Sequence, residues 1–392
     1  MKADGDPAVY RRDGATWTAF GALFAFGVAN AMLGPVLPYL RQAEHISYLA
    51  GALHQAAFAI GGLGAGLLAT RARIRGGRRR TIAAGFAAAA VAGIGLGYGT
   101  VLAVTLVAAF AVSLFATTAL IRLWAALADL HRDHRAVAMT EGEVAVSLAG
   151  VLTPLVMAGL AATALTWRFS FVVAATILLL AARASVLGAA TPAPVGAPEE
   201  THAGRDRGSR RTLIVIVAIV ALEFTLSFWA ASYFHDDVGL ARNTAVTLVS
   251  GLYAANLAGR LLASRLARRV ASVPLLAAAL AIALVAMPVL LTANGPTSAV
   301  LGLALAGLGI GATFPLASAI HVGASAQTAD KALGEILIVA GIGEIVGPVA
   351  AGAFAQVAGL RIGLLTLPAL IVIGAVGLGV AAARGAQPAA AY

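Results

Sequence analysis

The stretch TPAPVGAPEETHAGRDRGSRR, residues 191–211, interrupts an otherwise apolar chain near its midpoint. Its proline, glycine and charge are typical of a linker. Because about 20 apolar residues cross a ~30 Å hydrocarbon core as a helix, the apolar runs on either side predict an all-α membrane protein of twelve transmembrane helices. Six runs precede the linker, at about 16–40, 48–70, 81–98, 101–128, 138–162 and 169–188. Six follow it, at about 212–234, 244–264, 272–293, 297–322, 333–358 and 362–383.

Composition supports a lipid environment for most of the chain. Of 392 residues, 60% are hydrophobic and only 11% are charged, which is too little polar surface to cover a compact soluble domain. The net charge of +10 lies in short basic clusters between apolar runs, without interleaved aromatic residues, so we expect no nucleic-acid partner. The apolar run after the first fifteen residues is too long for a signal peptide, and we interpret it as a retained first helix.

Several kinds of chemistry find no support in the sequence. There is no cysteine, which excludes disulfides and thiolate ligands. No phosphate-binding loop, metal-ligand spacing or serine nucleophile elbow is present. We therefore expect no cofactor, no metal site and no enzymatic activity.

The distribution of lysine and arginine predicts the orientation in the membrane. If the N-terminus lies inside, the outer loops carry only Arg41, Arg168, Arg242 and Arg361, while the inner segments hold most of the 27 basic residues. Both termini are therefore predicted to be cytoplasmic. The domain prediction is an N-terminal six-helix bundle at residues 1–188, a cytoplasmic linker at 189–211 and a C-terminal bundle at 212–392.

An internal repeat relates the two sets of helices. At one offset of 194 residues, side chains in four separate helices or loops match. An even number of spans in each copy makes the copies parallel, related by an axis along the membrane normal. The matches are Tyr39 with Tyr233, Leu67–Arg71 with Leu261–Arg265, Glu141 with Glu335, and Pro154 with Pro348.

Ionisable residues within the spans locate a candidate cavity. Each costs about 2.5 to 3.5 kcal/mol at mid-membrane and normally faces the bundle interior. The third, sixth, ninth and twelfth runs contain no charge in their central parts and are predicted to be peripheral. Glu223 and Glu344 lie near the centres of the seventh and eleventh spans. Because lipid disfavours a charged carboxylate, either could bind and release a proton, and both are candidates for proton coupling; pinning of helix packing is the alternative.

A second set of charges lies near the predicted cytoplasmic face. Ion pairs there would form a gate that breaks as the two bundles move, and ordinary pairing at helix ends is the alternative. The candidate gate residues are Arg71, Glu141, Glu143, Arg265 and Glu335.

Further polar or aromatic residues lie at depths where they could contact a solute. Neutral groups could hydrogen-bond a hydroxylated or amide ligand, and Arg122 could bind an anion. Interhelical hydrogen bonding, or snorkelling and ion pairing for Arg122, are the alternatives. The candidate substrate-binding residues are Asn30, His54, Gln55, Arg122, Trp229, Tyr253 and Asn256.

Over essentially its whole length the chain resembles the major facilitator superfamily. The family's loop signature between the second and third spans is similar to GLLATRARIRGGRRR (66–80), and its second-half echo to GRLLASRLARR (259–269). Thr70 and Ser264 replace the acidic residue of that signature, which puts the usual charge latch at this loop in doubt.

Within the superfamily the sequence looks closest to the fucose-permease-like branch. The similar segments are LEFTLSFWAASYF (222–234), the Gly259-Arg260 pair and GLGIGATFPLASA (307–319). The antiporter motif of the fifth span is only partly met, since Thr153 precedes Pro154. Asn30 occupies the place of the first-helix aspartate that such permeases use for protons, so coupling would depend on Glu223 or Glu344.

The resemblance implies a secondary transporter that moves a small organic solute across the cytoplasmic (inner) membrane by alternating access, coupled to protons. A sugar-like or other small polar solute suits the branch. A proton-driven efflux antiporter for drugs or metabolites is one alternative, and a non-transporting receptor or lipid-handling protein on the same scaffold is another. The expected partners are a small-molecule substrate, protons and membrane lipid, and the expected state is a monomer.

Overall fold

The computed structural model describes residues 10–71, 77–131, 134–187, 207–324 and 329–385, and these are almost entirely helical. The predicted linker lies outside them from residue 189 to 206. The helices are α1 (Gly14–Ala31), α2 (Leu33–Glu44), α3 (Tyr48–Arg71), α4 (Gly77–Tyr98), α5 (Leu102–Leu130), α6 (Arg135–Ala161), α7 (Phe169–Leu187), α8 (Arg207–Asp236), α9 (Arg242–Leu266), α10 (Ser272–Leu291), α11 (Pro296–Gly311), α12 (Thr313–Ala324), α13 (Ala329–Ala358), α14 (Leu360–Gly363) and α15 (Thr366–Gly385).

These helices form twelve segments that are long and apolar enough to cross a membrane. The first segment is α1 with α2, the tenth is α11 with α12, and the twelfth is α14 with α15; each of the others is one helix. The predicted all-α fold of twelve transmembrane helices is therefore confirmed. We refer to α1–α7 as the N-terminal half and to α8–α15 as the C-terminal half.

Prolines explain the two interruptions at mid-span. A proline has no N–H and cannot bond to the carbonyl four residues earlier. Pro35 follows the last residue of α1, Ala31, at that spacing, and Pro315 follows the last residue of α11, Gly311, in the same way. Each helix therefore ends where its next backbone hydrogen bond would be missing.

The repeat seen in the sequence recurs in the helices. The helices α3, α5 and α6 begin at Tyr48, Leu102 and Arg135, and α9, α11 and α13 begin 194 residues later in each case. Packing repeats as well, because α3 packs on α5 as α9 does on α11, and α4 packs on α7 as α10 does on α15.

The two halves meet along three helix pairs, α2 with α8, α3 with α13, and α6 with α9. At the first crossing a Cβ on Gly34 would overlap the backbone of Ser227 and Phe228. Only glycine permits the two helices to approach this closely. The helices α4, α7 and α10, predicted to be peripheral, pack mainly on helices of their own half.

The absence of native cysteine makes the predicted orientation testable with single cysteines. Ala164 and Ala267 are exposed in turns at opposite ends of the bundle. We expect Ala164→Cys to react with a membrane-impermeant maleimide added to intact cells, because its loop is predicted to be outside. Ala267→Cys should react only after permeabilisation, and the opposite pattern would reverse the predicted topology.

Candidate functional site

A polar cavity of about 60 Å³ lies between the halves, at the crossing of α1 and α2 with α8. Helices α3 and α9 complete its wall. Its polar lining comes from Asn30, Gln55, Glu223, Ser227 and Tyr253. A larger depression of about 370 Å³ between α10 and α15 has an almost wholly apolar lining. Of these two cavities in the described part of the chain, the one between the halves offers the groups that a polar solute requires.

Four residues predicted from the sequence line this cavity together. They are Asn30, Gln55 and Tyr253 from the proposed substrate set, and Glu223 from the proton-coupling pair. Asn30 and Gln55 belong to the N-terminal half, and Glu223 and Tyr253 to the C-terminal half. The cavity is therefore built by both halves.

Arg260 of α9 joins this cavity to three helices. Its Nη2 donates to Glu223 Oε1 at 3.2 Å, and its Nη1 lies 3.9 Å from Glu143 Oε2 of α6. Its Nε donates to the carbonyl of Gly311 at 3.1 Å. That carbonyl has lost its helical donor because Pro315 stands four residues further on, so the arginine satisfies a backbone group that the proline leaves open.

Two carboxylates pair with this guanidinium, and a third, that of Glu344, lies close enough to Glu223 to interact with it. Glu223 influences both Glu143 and Glu344 electrostatically, and Arg260 pairs with Glu223 and Glu143. If all three carboxylates were ionised, their negative charge would exceed the positive charge of Arg260 by two within the transmembrane helices. Such an excess is costly, so the group is suited to hold protons or a bound cation.

Two predicted substrate residues face away from the cavity. His54 is fully buried, and its Nε2 lies 3.0 Å from Thr105 Oγ1 of α5. Trp229 is also fully buried, and its Nε1 donates to the carbonyl of Pro348 at 3.0 Å. Each side chain thus makes a polar contact between two helices.

The two remaining candidates also lie apart from the cavity lining. Asn256 is 5% exposed and packs against the backbone of Gly311. Within the described residues its Oδ1 has no hydrogen-bond partner. Arg122 of α5 is close enough to Arg78 for their charges to interact.

The predicted gate residues divide between different contacts. Glu141 binds Arg12 at 2.5 Å within the N-terminal half, and Glu335 lies 3.6 Å from His321 within the C-terminal half. Glu143 reaches across the halves to Arg260. Arg265 is exposed, and the side chain of Arg71 lies outside the described residues. The four gate residues whose side chains are described do not form one cluster.

A latch between the halves forms at the predicted outer end, where the sequence suggested no gate. Arg41 Nη1 lies 2.7 Å from Asp236 Oδ2, and the Tyr48 hydroxyl donates to the same oxygen at 3.0 Å. The Tyr39 hydroxyl donates to Asn243 Oδ1 at 2.5 Å. We call these five residues the outer latch.

The missed residues share one property, since each acts through a partner remote in sequence. Arg41 was counted as a loop charge and Arg260 was noted in a family motif, and neither was assigned a partner. A search for opposite charges at matching depth would have suggested Arg260 with Glu223. The latch offered no comparable signal, because loop charges have many possible partners.

Comparison with known proteins gives a family match over most of the chain. The sequence profile of the Major Facilitator Superfamily matches residues 19–329. No curated protein sequence is significantly similar to the chain.

Solved structures share the fold at low sequence identity. A bacterial homologue of the human lysosomal transporter Spinster, inward-facing and occupied, has a TM-score of 0.80 at 16% identity, covering 98% of this chain and 100% of that one. The nucleoside transporter NupG gives 0.74 at 12%, covering 94% and 100%. A D-xylose-proton symporter gives 0.71 at 15%, covering 94% and 96%.

The pairing of Arg260 with Glu223 predicts a rescue by a second substitution. Arg260→Met leaves the carboxylates without their counter-ion and should lower stability by about 1–3 kcal/mol. Adding Glu223→Gln removes one of those charges and should restore part of the loss. Thermal unfolding of the purified protein measures both changes, and additive losses in the double variant would contradict the pairing.

The outer latch predicts a change in access to the cavity. Its charged pair is partly buried, with side-chain exposures of 15% for Arg41 and 24% for Asp236. Its loss should favour opening by about 1 kcal/mol. We expect Asp236→Asn to speed labelling of a Ser227→Cys reporter by an impermeant thiol reagent from the latch side about fivefold.

Asp237→Asn is the matched control for the latch. Asp237 Oδ1 accepts from the backbone N–H of Arg361, within the same half. The same substitution there should leave reporter labelling unchanged. Equal acceleration by both variants would show that the Arg41 pair does not hold this end closed.

Proposed function

This chain belongs to the Major Facilitator Superfamily. We propose that it transports a small organic solute, either in exchange for protons or together with them. The family match makes it a multi-pass membrane transporter with a small-molecule substrate rather than an enzyme. Alternating access fits this fold, because the cavity lies between two halves that can rock about it.

The proposed solute site is the cavity lined by Asn30, Gln55, Glu223 and Tyr253. The observation that supports it is the convergence of polar groups from both halves on one enclosed space. A solute held there contacts both halves and therefore responds to their movement.

Proton coupling is proposed for the carboxylates around Arg260. Glu223 and Glu344 remain the proposed proton carriers, since one guanidinium cannot balance them together with Glu143. Glu143 belongs to the N-terminal half and the other two carboxylates to the C-terminal half. Movement of the halves would change the distance from Glu143 to Arg260, and with it the cost of ionising the remaining pair.

The finer assignments are also proposals. The fucose-permease-like branch is supported by residues 222–234 and 307–319. The inner membrane, cytoplasmic termini and the division at residues 189–211 are supported by the basic loops and the composition of the linker. A monomer is the simplest assembly that contains the whole cavity.

An efflux antiporter is the second candidate. Phe58, Phe224 and Phe228 give the cavity an aromatic wall beside Glu223. Such a wall would also suit an amphipathic solute. By contrast, two of the structural neighbours are named for nucleosides and for D-xylose.

Proton coupling is tested in proteoliposomes with an imposed pH gradient and a panel of sugars, nucleosides and amines. We expect at least one solute to drive proton movement in the native protein. Glu223→Gln and Glu344→Gln should each abolish that movement, because an amide cannot exchange a proton in this way. Glu44→Gln is the control, since Glu44 accepts from Thr105 outside the cavity. Solute movement that carries no protons, and that neither variant alters, would contradict the proposal.

A further inference from the structure

We infer that the transported solute is a small organic ammonium compound that also bears hydroxyl or carboxylate oxygens. The inference rests on the proposed function, because it takes the cavity between the halves as the solute site. Charge, aromatic lining and an unpaired amide support it in turn.

The first argument is the charge around the cavity. Glu223 lines it, and Glu143 and Glu344 stand near enough to act on Glu223 electrostatically. Arg260 uses its Nη2 on Glu223 Oε1 and its Nε on a backbone carbonyl. An ammonium group at Glu223 would supply positive charge that the protein itself lacks, whereas an anionic solute would add to the excess.

The second argument is the aromatic wall. The rings of Phe58, Phe224 and Phe228 line the same cavity as Glu223, and Tyr253 adds a fourth ring. Aromatic faces attract cations through the ring quadrupole, and more strongly where water is excluded. Rings combined with one carboxylate favour an ammonium over a neutral hydroxyl group of the same size.

The third argument is the side-chain amide of Gln55. Gln55 is 4% exposed and lines the cavity, and within the described residues its Nε2 has no hydrogen-bond partner. A buried donor without an acceptor is destabilising, because it has lost its hydrogen bonds to water and gained none in return. An oxygen on the solute satisfies it in the orientation found.

The cavity volume of about 60 Å³ is several times the space that one ordered water needs. It can take the ammonium and an adjacent oxygen-bearing carbon in this closed state. Both groups therefore belong on neighbouring atoms of the solute, as in amino alcohols, amino sugars and hydroxy amino acids.

Three matched pairs of probes test the charge requirement. Serinol and glycerol, D-glucosamine and D-glucose, and L-serine and L-glycerate each differ by an ammonium in place of a hydroxyl group. Binding is measured by calorimetry on the purified full-length protein in nanodiscs. We expect at least one ammonium member to bind at least tenfold more tightly than its partner.

Two variants test the assigned contacts. Glu223→Gln should reduce the preference for the ammonium member to less than threefold. Gln55→Leu should weaken binding of the ammonium member at least fivefold. The protein should still bind that member more tightly than its hydroxyl partner. Ala164→Cys, in an exposed turn away from the cavity, is the control and should bind as the native protein does. A thermal unfolding curve for each variant shows that it is folded.

The outcomes separate this inference from the proposed function. Failure of all three ammonium probes to bind, or the absence of a tenfold preference for the ammonium member in every pair, overturns the inference. Proton-coupled movement of glucose would then still support the transporter proposal. Conversely, selective binding of ammonium probes without proton movement supports the inference and contradicts the proposal of proton coupling.

Discussion

Lipid cannot solvate charge, and the central part of this molecule is organised by that constraint. Arg260 is shared among Glu223, Glu143 and the open carbonyl of Gly311. A guanidinium suits this task because its planar fork donates in several fixed directions at once. A lysine, with one compact charge, could not serve the carbonyl and two carboxylates on separate helices together.

The position of this arginine depends on backbone chemistry as much as on charge. Pro315 removes the donor that would have bonded to Gly311, so α11 ends at that glycine and its carbonyl accepts from Arg260. The anchor lies within the C-terminal half, whereas Glu143 approaches from the N-terminal half at 3.9 Å. Relative movement of the halves therefore acts on the Glu143 distance while the anchored guanidinium stays with Glu223.

The sequence predicted the spans, the repeat and the depth of the polar residues, but depth does not determine direction. His54 and Gln55 are neighbours about 100° apart around α3. The first binds Thr105 in its own half, and the second lines the cavity. Neither has a distinctive sequence context, and only the packing of α3 between α5 and α13 separates them. The outer ion pair was beyond prediction for a similar reason, since Arg41 and Asp236 are joined only by the approach of the two halves.

Duplication of the fold has not kept the chemistry of the two halves alike. At the offset of 194 residues, Glu223, Arg260 and Glu344 correspond to Ala29, Gly66 and Gly150, so the ionisable groups of the cavity region come mainly from the C-terminal half. The matched tyrosines differ in the same way. Tyr39 donates to Asn243 across the halves, while Tyr233 donates to carbonyls of Leu290 and Leu291 in its own half. If the two halves were identical, each would present the same groups to the cavity. Their divergence places most of the charge around the cavity in the C-terminal half and the amides of Asn30 and Gln55 in the N-terminal half.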